Sequence, residues 1–243
     1  MLRAFADGRL FGETTGTATP WVLALHGWGR SRSDFDTVLE GLDALAVDLP
    51  GFGASPEPPE PWGGAEYAAA VAPLLDDLAS PVVILGHSFG GQVAVHLAAR
   101  HPDRVGALVL TGTPLVRRPK GKASTGFRLA RRLYGWGVLS DDYMEKLRQK
   151  HGSADYRAAR GTMRDVFVRV VNESYDDDLA ALACPVELVW GADDAAAPLA
   201  QAEEAAGRIA DARLTVLPGV GHFTPQAAPD ALREAVLRHR PAS

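Results

Sequence analysis

Ser88 stands in Gly86-His87-Ser88-Phe89-Gly90, between a short apolar run and a helical pattern. A serine hydroxyl is a weak nucleophile. It needs a base to take its proton and an acid to orient that base. It also needs N–H donors where negative charge develops on the attacked oxygen. His222, in Gly219-Val220-Gly221-His222-Phe223, follows the last strand pattern and is the base candidate. Asp193 and Asp194 both follow an earlier strand pattern, after Trp190-Gly191-Ala192, and compete for the orienting role. The backbone N–H of Phe89 is one candidate oxyanion donor. That of Trp28, in His26-Gly27-Trp28, is the other. The side chains of Trp28 and Phe89 then wall the acyl pocket, and His26 braces its loop.

These groups need elements to carry them. Val82-Val83-Ile84-Leu85 is branched, apolar and too short for a helix, so it reads as a buried parallel strand. Gln92 to Arg100 reads as the helix that follows. The turn between them lifts Ser88 out of the sheet, and the flanking glycines let strand and helix approach closely. Trp21–Leu25, Ala44–Val47, Val105–Leu110, Val186–Trp190 and Leu214–Leu217 read as further strands. Leu2–Phe5 and Arg9–Glu13 flank Asp7-Gly8, a two-residue hairpin signal. Ser33 is placed to cap a helix carrying Phe35, Val38 and Leu39. Gly64 to Leu78 has helical spacing that Pro73 should kink or divide. Leu199–Ile209 and Pro229–His239 read as the closing helices. Strands alternating with helices predict a parallel sheet covered on both faces.

The alternation breaks after Thr113-Pro114. Residues 125–134, 141–150 and 154–171 have helical patterns, the last with Tyr156, Ala159, Met163, Phe167 and Val170 on one stripe. Residues 114–176 are therefore expected to form a helical cap over a core made of residues 1–113 and 177–243. Phe127, Tyr134, Trp136 and Met163 from the cap, with Phe223, are expected to complete the substrate-binding walls.

The motifs together resemble an α/β-hydrolase fold serine hydrolase over essentially the whole chain. They are H-G-W-G at 26–29, D-L-P-G-F-G at 48–53, G-H-S-F-G-G at 86–91, G-x-x-D-x-x-x-P at 191–198 and G-x-G-H at 219–222. The resemblance implies a mostly parallel twisted sheet of about eight strands flanked by helices. The family pattern selects Asp194 over Asp193, giving the catalytic order Ser88, Asp194, His222. Some relatives place the acid one strand earlier, where this chain has Thr111-Gly112-Thr113 and no carboxylate. Ser88 argues against the haloalkane dehalogenase and epoxide hydrolase branches, which use aspartate as nucleophile. The loops are similar to those of pimeloyl-carrier-protein methyl ester esterases and, less closely, of meta-cleavage product C–C hydrolases. The latter usually carry tryptophan where Phe223 stands. The resemblance implies a carboxylesterase working through an acyl-enzyme, without cofactor. Cleavage of a C–C bond in a vinylogous diketone, or ligand binding without turnover, are the alternatives.

A net charge of -5 gives no basic field for nucleic acid. The single cysteine, Cys184, allows no intrachain disulfide and reads as a small buried hydrophobe. The N-terminus lacks the apolar core of a signal peptide, and no run reaches membrane-spanning length, so a cytoplasmic monomer or weak homodimer is expected. His87, His96, His101, His151 and His239 read as structural or solvated, without metal-ligand spacing. Lys120-Gly121-Lys122 lacks the strand and glycine spacing of a phosphate loop. Asp176-Asp177-Asp178 reads as a helix cap. Between Arg117 and Arg132 basic residues cluster without an acid. This run reads first as a solvated face of the cap. The alternative is an edge that attracts an anionic ester substrate or an acidic acyl-carrier protein.

Overall fold

The computed structural model describes residues 1–116, 134, 140 and 154–241. Its strands are β1 (Leu2–Phe5), β2 (Leu10–Thr15), β3 (Val22–Leu25), β4 (Ala44–Asp48), β5 (Val82–His87), β6 (Val105–Thr111), β7 (Val186–Gly191) and β8 (Ala212–Leu217). They form one eight-stranded sheet in the order β1-β2-β4-β3-β5-β6-β7-β8. β1 pairs β2, and β2 pairs β4, antiparallel. Every pair from β4 onward to β8 is parallel. This is the mostly parallel α/β-hydrolase sheet that the resemblance implies.

The central strands are buried on both faces, and their side-chain alternation splits the core in two. Leu23, Leu25 and Ile84 face one side, with Tyr67 from α2 (Gly64–Val71) and Val93 and Leu97 from α3 (Phe89–Arg100). Val22, Ala24, Val83 and Leu85 face the other. There they meet Val38 of the short helix α1 (Asp36–Leu39) and Leu232 and Val236 of a C-terminal helix, Pro229–Leu237. Cys184 belongs to the first cluster, and burial pushes its thiol pKa up.

Local departures from the sequence expectations have physical causes. The first hairpin turns through Ala6–Arg9, not two residues, because Phe5 pairs with Leu10. Ser33 caps no helix. It lies inside a 3-10 turn, Arg32–Phe35, with Ser31 at the N-cap and no side-chain capping bond. Pro73 does divide its helix: α2 stops at Val71 and continues as a 3-10 turn, Ala72–Asp77.

The helix expected over 154–171 is two, α4 (Ala154–Ala158) and α5 (Gly161–Val170). Arg160 is extended and Gly161 has φ +48°, so the ladder cannot run through. In α6 (Asp176–Ala181) the N-cap is Tyr175, and the three aspartates fill the first turn instead of capping it. There Asp176 pairs with Arg208, and Asp178 with Arg100 and His96. The later helices are α7 (Leu199–Ala206), α8 (Thr224–Ala227) and α9 (Pro229–Leu237). The helices expected at 125–134 and 141–150, and the basic run 117–132, lie outside the described residues except for Tyr134, which is helical. Among the described residues, no helix is long and apolar enough to cross a membrane.

Candidate active site

Because β3 through β8 run parallel, their C-terminal ends share one edge of the sheet, where open α/β sheets gather ligand-binding loops. His26-Gly27-Trp28 leaves β3, Ser88 leaves β5, Asp194 follows β7 and His222 follows β8. Four segments distant in sequence thus meet through topology.

Ser88 joins β5 to α3 with φ +50° and ψ -115°, a conformation that costs a non-glycine residue free energy. The neighbouring packing enforces it. A Cβ on Gly86 would lie 2.5 Å from Gly91 Cα, and one on Gly90 would lie 2.0 Å from the Leu25 carbonyl oxygen. The Ser88 N–H donates to Thr111 O at 2.9 Å, and the Ser88 carbonyl accepts from Gly91 and Gln92. The turn is therefore fixed to its neighbouring strand and to its own helix.

Asp194 is 4% exposed, whereas Asp193 is exposed. Asp194 Oδ2 accepts from His222 Nδ1 at 2.8 Å, and Oδ1 accepts from the N–H groups of Ala196 and Ala197 at 2.9 and 2.8 Å. Burial opposes ionisation of Asp194. The bonds from His222 and the two amides outweigh it and hold the pKa below the usual carboxylate value. That bond assigns the Nδ1–H tautomer to His222 and leaves Nε2 as the basic nitrogen. Gly112, at φ +56°, sits behind the pair: a Cβ there would be 3.0 Å from His222 Nδ1 and 3.3 Å from Asp194 Oδ2. Gly112, within the Thr111-Gly112-Thr113 stretch that carries no carboxylate, thus leaves room for this pair.

Ser88 and His222 both line a cavity of about 440 Å³, with Trp28 and Phe89 on its apolar wall. Trp28 packs edge-on to Phe89, Phe52 and Phe167, with centroids 5.5, 4.9 and 5.0 Å away. Phe89 opens α3, so its N–H is one of the helix's unpaired donors.

Two buried side chains fix the loops that carry these aromatics. His26 donates from Nδ1 to Gly27 O at 2.7 Å and accepts the Leu49 N–H on Nε2 at 2.9 Å. Its burial lowers its pKa, so it stays neutral and braces two loops at once. Asp48 accepts from Arg32 N, Arg32 Nη1 and Ala54 N at 2.8, 2.7 and 2.9 Å. It thereby orders the 49–55 loop that presents Phe52.

Two other expected wall residues, Phe223 and Met163, are not among the residues that line this cavity. Phe223 is 51% exposed, beneath the Arg30 guanidinium at 5.1 Å, and does not line the cavity. Thr224 and Pro225 take the buried places of α8 and turn Phe223 outward. Met163 is buried, against the Tyr67 hydroxyl and the Gly51 backbone. Tyr134 is half-buried; Phe127 and Trp136 lie outside the described residues. Sequence reading missed Gln92, Glu173, Tyr175 and Gln201, which line the cavity, and His87, which touches the His222 main chain. Apart from the glycine context of His87, nothing in their spacing marks them. Among the described residues, no group of three or more His, Cys, Asp or Glu side chains is placed to hold a metal ion.

A family model described as Alpha/beta hydrolase family matches residues 22–235. A pimeloyl-[acyl-carrier protein] methyl ester esterase of Neisseria meningitidis is 46% identical over 96 residues, 38% of this chain and 36% of the relative. The chain thus matches about a third of the length of that relative. The protein of the same description from Chromobacterium violaceum is 33% identical over 238 residues, 88% of this chain and 91% of the relative. A malate-bound thermophilic esterase from Thermogutta terrifontis superposes with TM-score 0.68 at 27% identity, covering 94% of this chain and 92% of that one. With a family match over most of its length and the sheet expected of that family, the chain belongs to the Alpha/beta hydrolase family.

Proposed function

We propose that the protein is a serine hydrolase that cleaves a carboxylic ester through an acyl-enzyme. The observation that carries this reading is the 2.8 Å bond from His222 Nδ1 to buried Asp194, with His222 lining the same cavity as Ser88. In the proposed reaction, Ser88 Oγ attacks the ester carbonyl and His222 Nε2 takes its proton. Asp194 stabilises the imidazolium that forms. The backbone N–H groups of Phe89 and Trp28 receive the oxyanion. His222 returns the proton to the leaving alcohol, and water activated by His222 then releases the acid. No step needs a cofactor.

The apolar wall of Trp28, Phe89 and Phe167 supports an acyl chain as the bound group. The names of the relatives make a methyl ester of a chain held on an acyl-carrier protein the first substrate to try. Residues 114–176 act as the cap in this reading, supported by Phe167, Val170 and Val171 on the cavity wall. Attraction of an anionic substrate would fall to the basic run 117–132, outside the described residues.

Turnover of acyl methyl esters, set beside a chromogenic dienoate ring-fission product, tests the reading. Ester turnover at least tenfold above dienoate turnover is expected. Turnover of the dienoate alone would assign the same residues to C–C cleavage, and retention of ligands without turnover would make the chain a binding protein.

A further inference from the structure

The chain that leaves α5 stays wound onto its end. The N–H groups of Val171, Asn172 and Glu173 donate to the carbonyls of Phe167, Arg169 and Val170 at 3.1, 3.0 and 3.2 Å. Glu173 is therefore tied to the end of α5. Phe167 and Val170 of that helix, with Val171, line the cavity beside Ser88, and Phe167 packs against Trp28.

The Glu173 carboxylate reaches from there to α2. The Gly64 N–H, at the start of α2, donates to Oε1 and Oε2 at 3.1 and 2.9 Å. An N–H in a first helical turn has no partner within its own helix, and negative charge is favoured beside it. The Tyr175 hydroxyl donates to Oε2 at 3.1 Å, and His96 of α3 faces the same oxygen with Nε2 3.9 Å away. Arg169 of α5 adds a second tie: it donates to Pro61 O at 2.8 Å and pairs with Glu66 of α2.

Gly63 shows how closely this contact is fitted. Its backbone is extended, with φ -100° and ψ -178°, which any residue adopts. Space alone demands glycine. A Cβ there would lie 1.9 Å from Glu173 Oε1, and its three nearest atoms would all belong to Glu173 and Arg169.

Resting on the ester hydrolase reading above, we propose that Glu173 is a positioning residue for acyl-chain selection: its carboxylate clamps the end of α5 onto α2 and so sets the wall that Phe167, Val170 and Val171 present to the acyl chain. Misfit of a methylene against such a wall costs about tenfold or more in kcat/KM.

The test is the acyl-length profile of the folded full chain on p-nitrophenyl esters from acetate to dodecanoate. In the wild type, the best length should exceed acetate in kcat/KM by about tenfold or more. In Glu173→Leu and in Gly63→Ala that ratio should fall by about tenfold, through KM for the best ester more than through kcat. Glu173→Gln, whose Oε1 still accepts the Gly64 N–H, should keep more of the ratio than Glu173→Leu. Both changes break one contact, so the double variant should lose little beyond Glu173→Leu. A profile kept in both folded single variants would overturn the proposal, as would additive losses in the double variant or equal losses in the Gln and Leu variants. A loss in Glu173→Leu beside a wild-type profile in Gly63→Ala would make Glu173 a direct substrate contact and overturn the clamp. Turnover of no ester by the wild type would defeat the hydrolase reading itself, whereas turnover with a flat profile would defeat this inference alone.

Discussion

His87 donates its Nε2–H to the backbone carbonyl of His222 at 2.9 Å, so a buried residue of the Ser88 turn holds the main chain that carries the candidate base. The two rings lie 5.0 Å apart between centroids. A group that fixes the base loop without touching substrate is a positioning residue. His87→Leu should lower kcat by about 10- to 100-fold with little change in KM, since small misplacements of a reacting group cost that much. His87→Asn, which restores an N–H, should recover part of the loss. Steady-state kinetics of both variants check this, and equal losses would deny the hydrogen bond a role.

The same residue should make stability depend on pH. Burial disfavours charged His87, as does neighbouring His222; its bond to the His222 carbonyl only partly compensates, and its pKa falls from 6.5 to about 4. The unfolded chain therefore binds this proton between about pH 6.5 and 4 while the folded chain does not. Stability from neutral His87 is complete above about pH 6.5 and declines as pH falls toward 4, by on the order of 3 kcal/mol. Buried His26 acts in the same direction. Urea denaturation from pH 7 to 4 should give a shallower decline in His87→Asn than in the wild type. Parallel declines would count against a neutral buried His87.

Asp194 and Asp193 are adjacent, yet only Asp194 touches His222. Asp194→Asn should cost about 10⁴-fold in kcat, because an amide no longer enforces the Nδ1–H tautomer. Asp193→Asn should stay within a few-fold of wild type, as an exposed side chain. Comparable losses in the two variants would contradict the assignment.

Gly90 has no room for a methyl group. Its Cβ would lie 2.0 Å from the Leu25 carbonyl oxygen and 2.6 Å from that of His26. Both are backbone atoms that cannot swing aside. Gly90→Ala should destabilise the fold by about 1–3 kcal/mol or more, visible in thermal or denaturant unfolding. An unchanged midpoint would mean that β3 and α3 are not pressed together at this turn.

The strands were legible because runs such as Val82–Leu85 and Val105–Leu110 are short, branched and buried on both faces. The contact between Asp194 and His222 was legible because loop motifs fix their distance from strand ends; the roles assigned to them remain a proposal. Breaks set by single backbone conformations were not. Gly161 at φ +48° ends a helical stripe that the side-chain pattern alone carries straight through. Nor was the direction of Phe223, which depends on Thr224 and Pro225 taking the buried places beside it. Gln201 and Glu173 reach the cavity through packing between segments far apart in sequence, which no local spacing encodes.

The central claim is that Ser88 is the nucleophile, and the kcat of purified, folded Ser88→Ala on a p-nitrophenyl ester tests it most directly. Loss of at least about 10⁴-fold is predicted, since the oxyanion donors and binding groups that remain supply only residual catalysis. A kcat within tenfold of wild type would contradict the assignment.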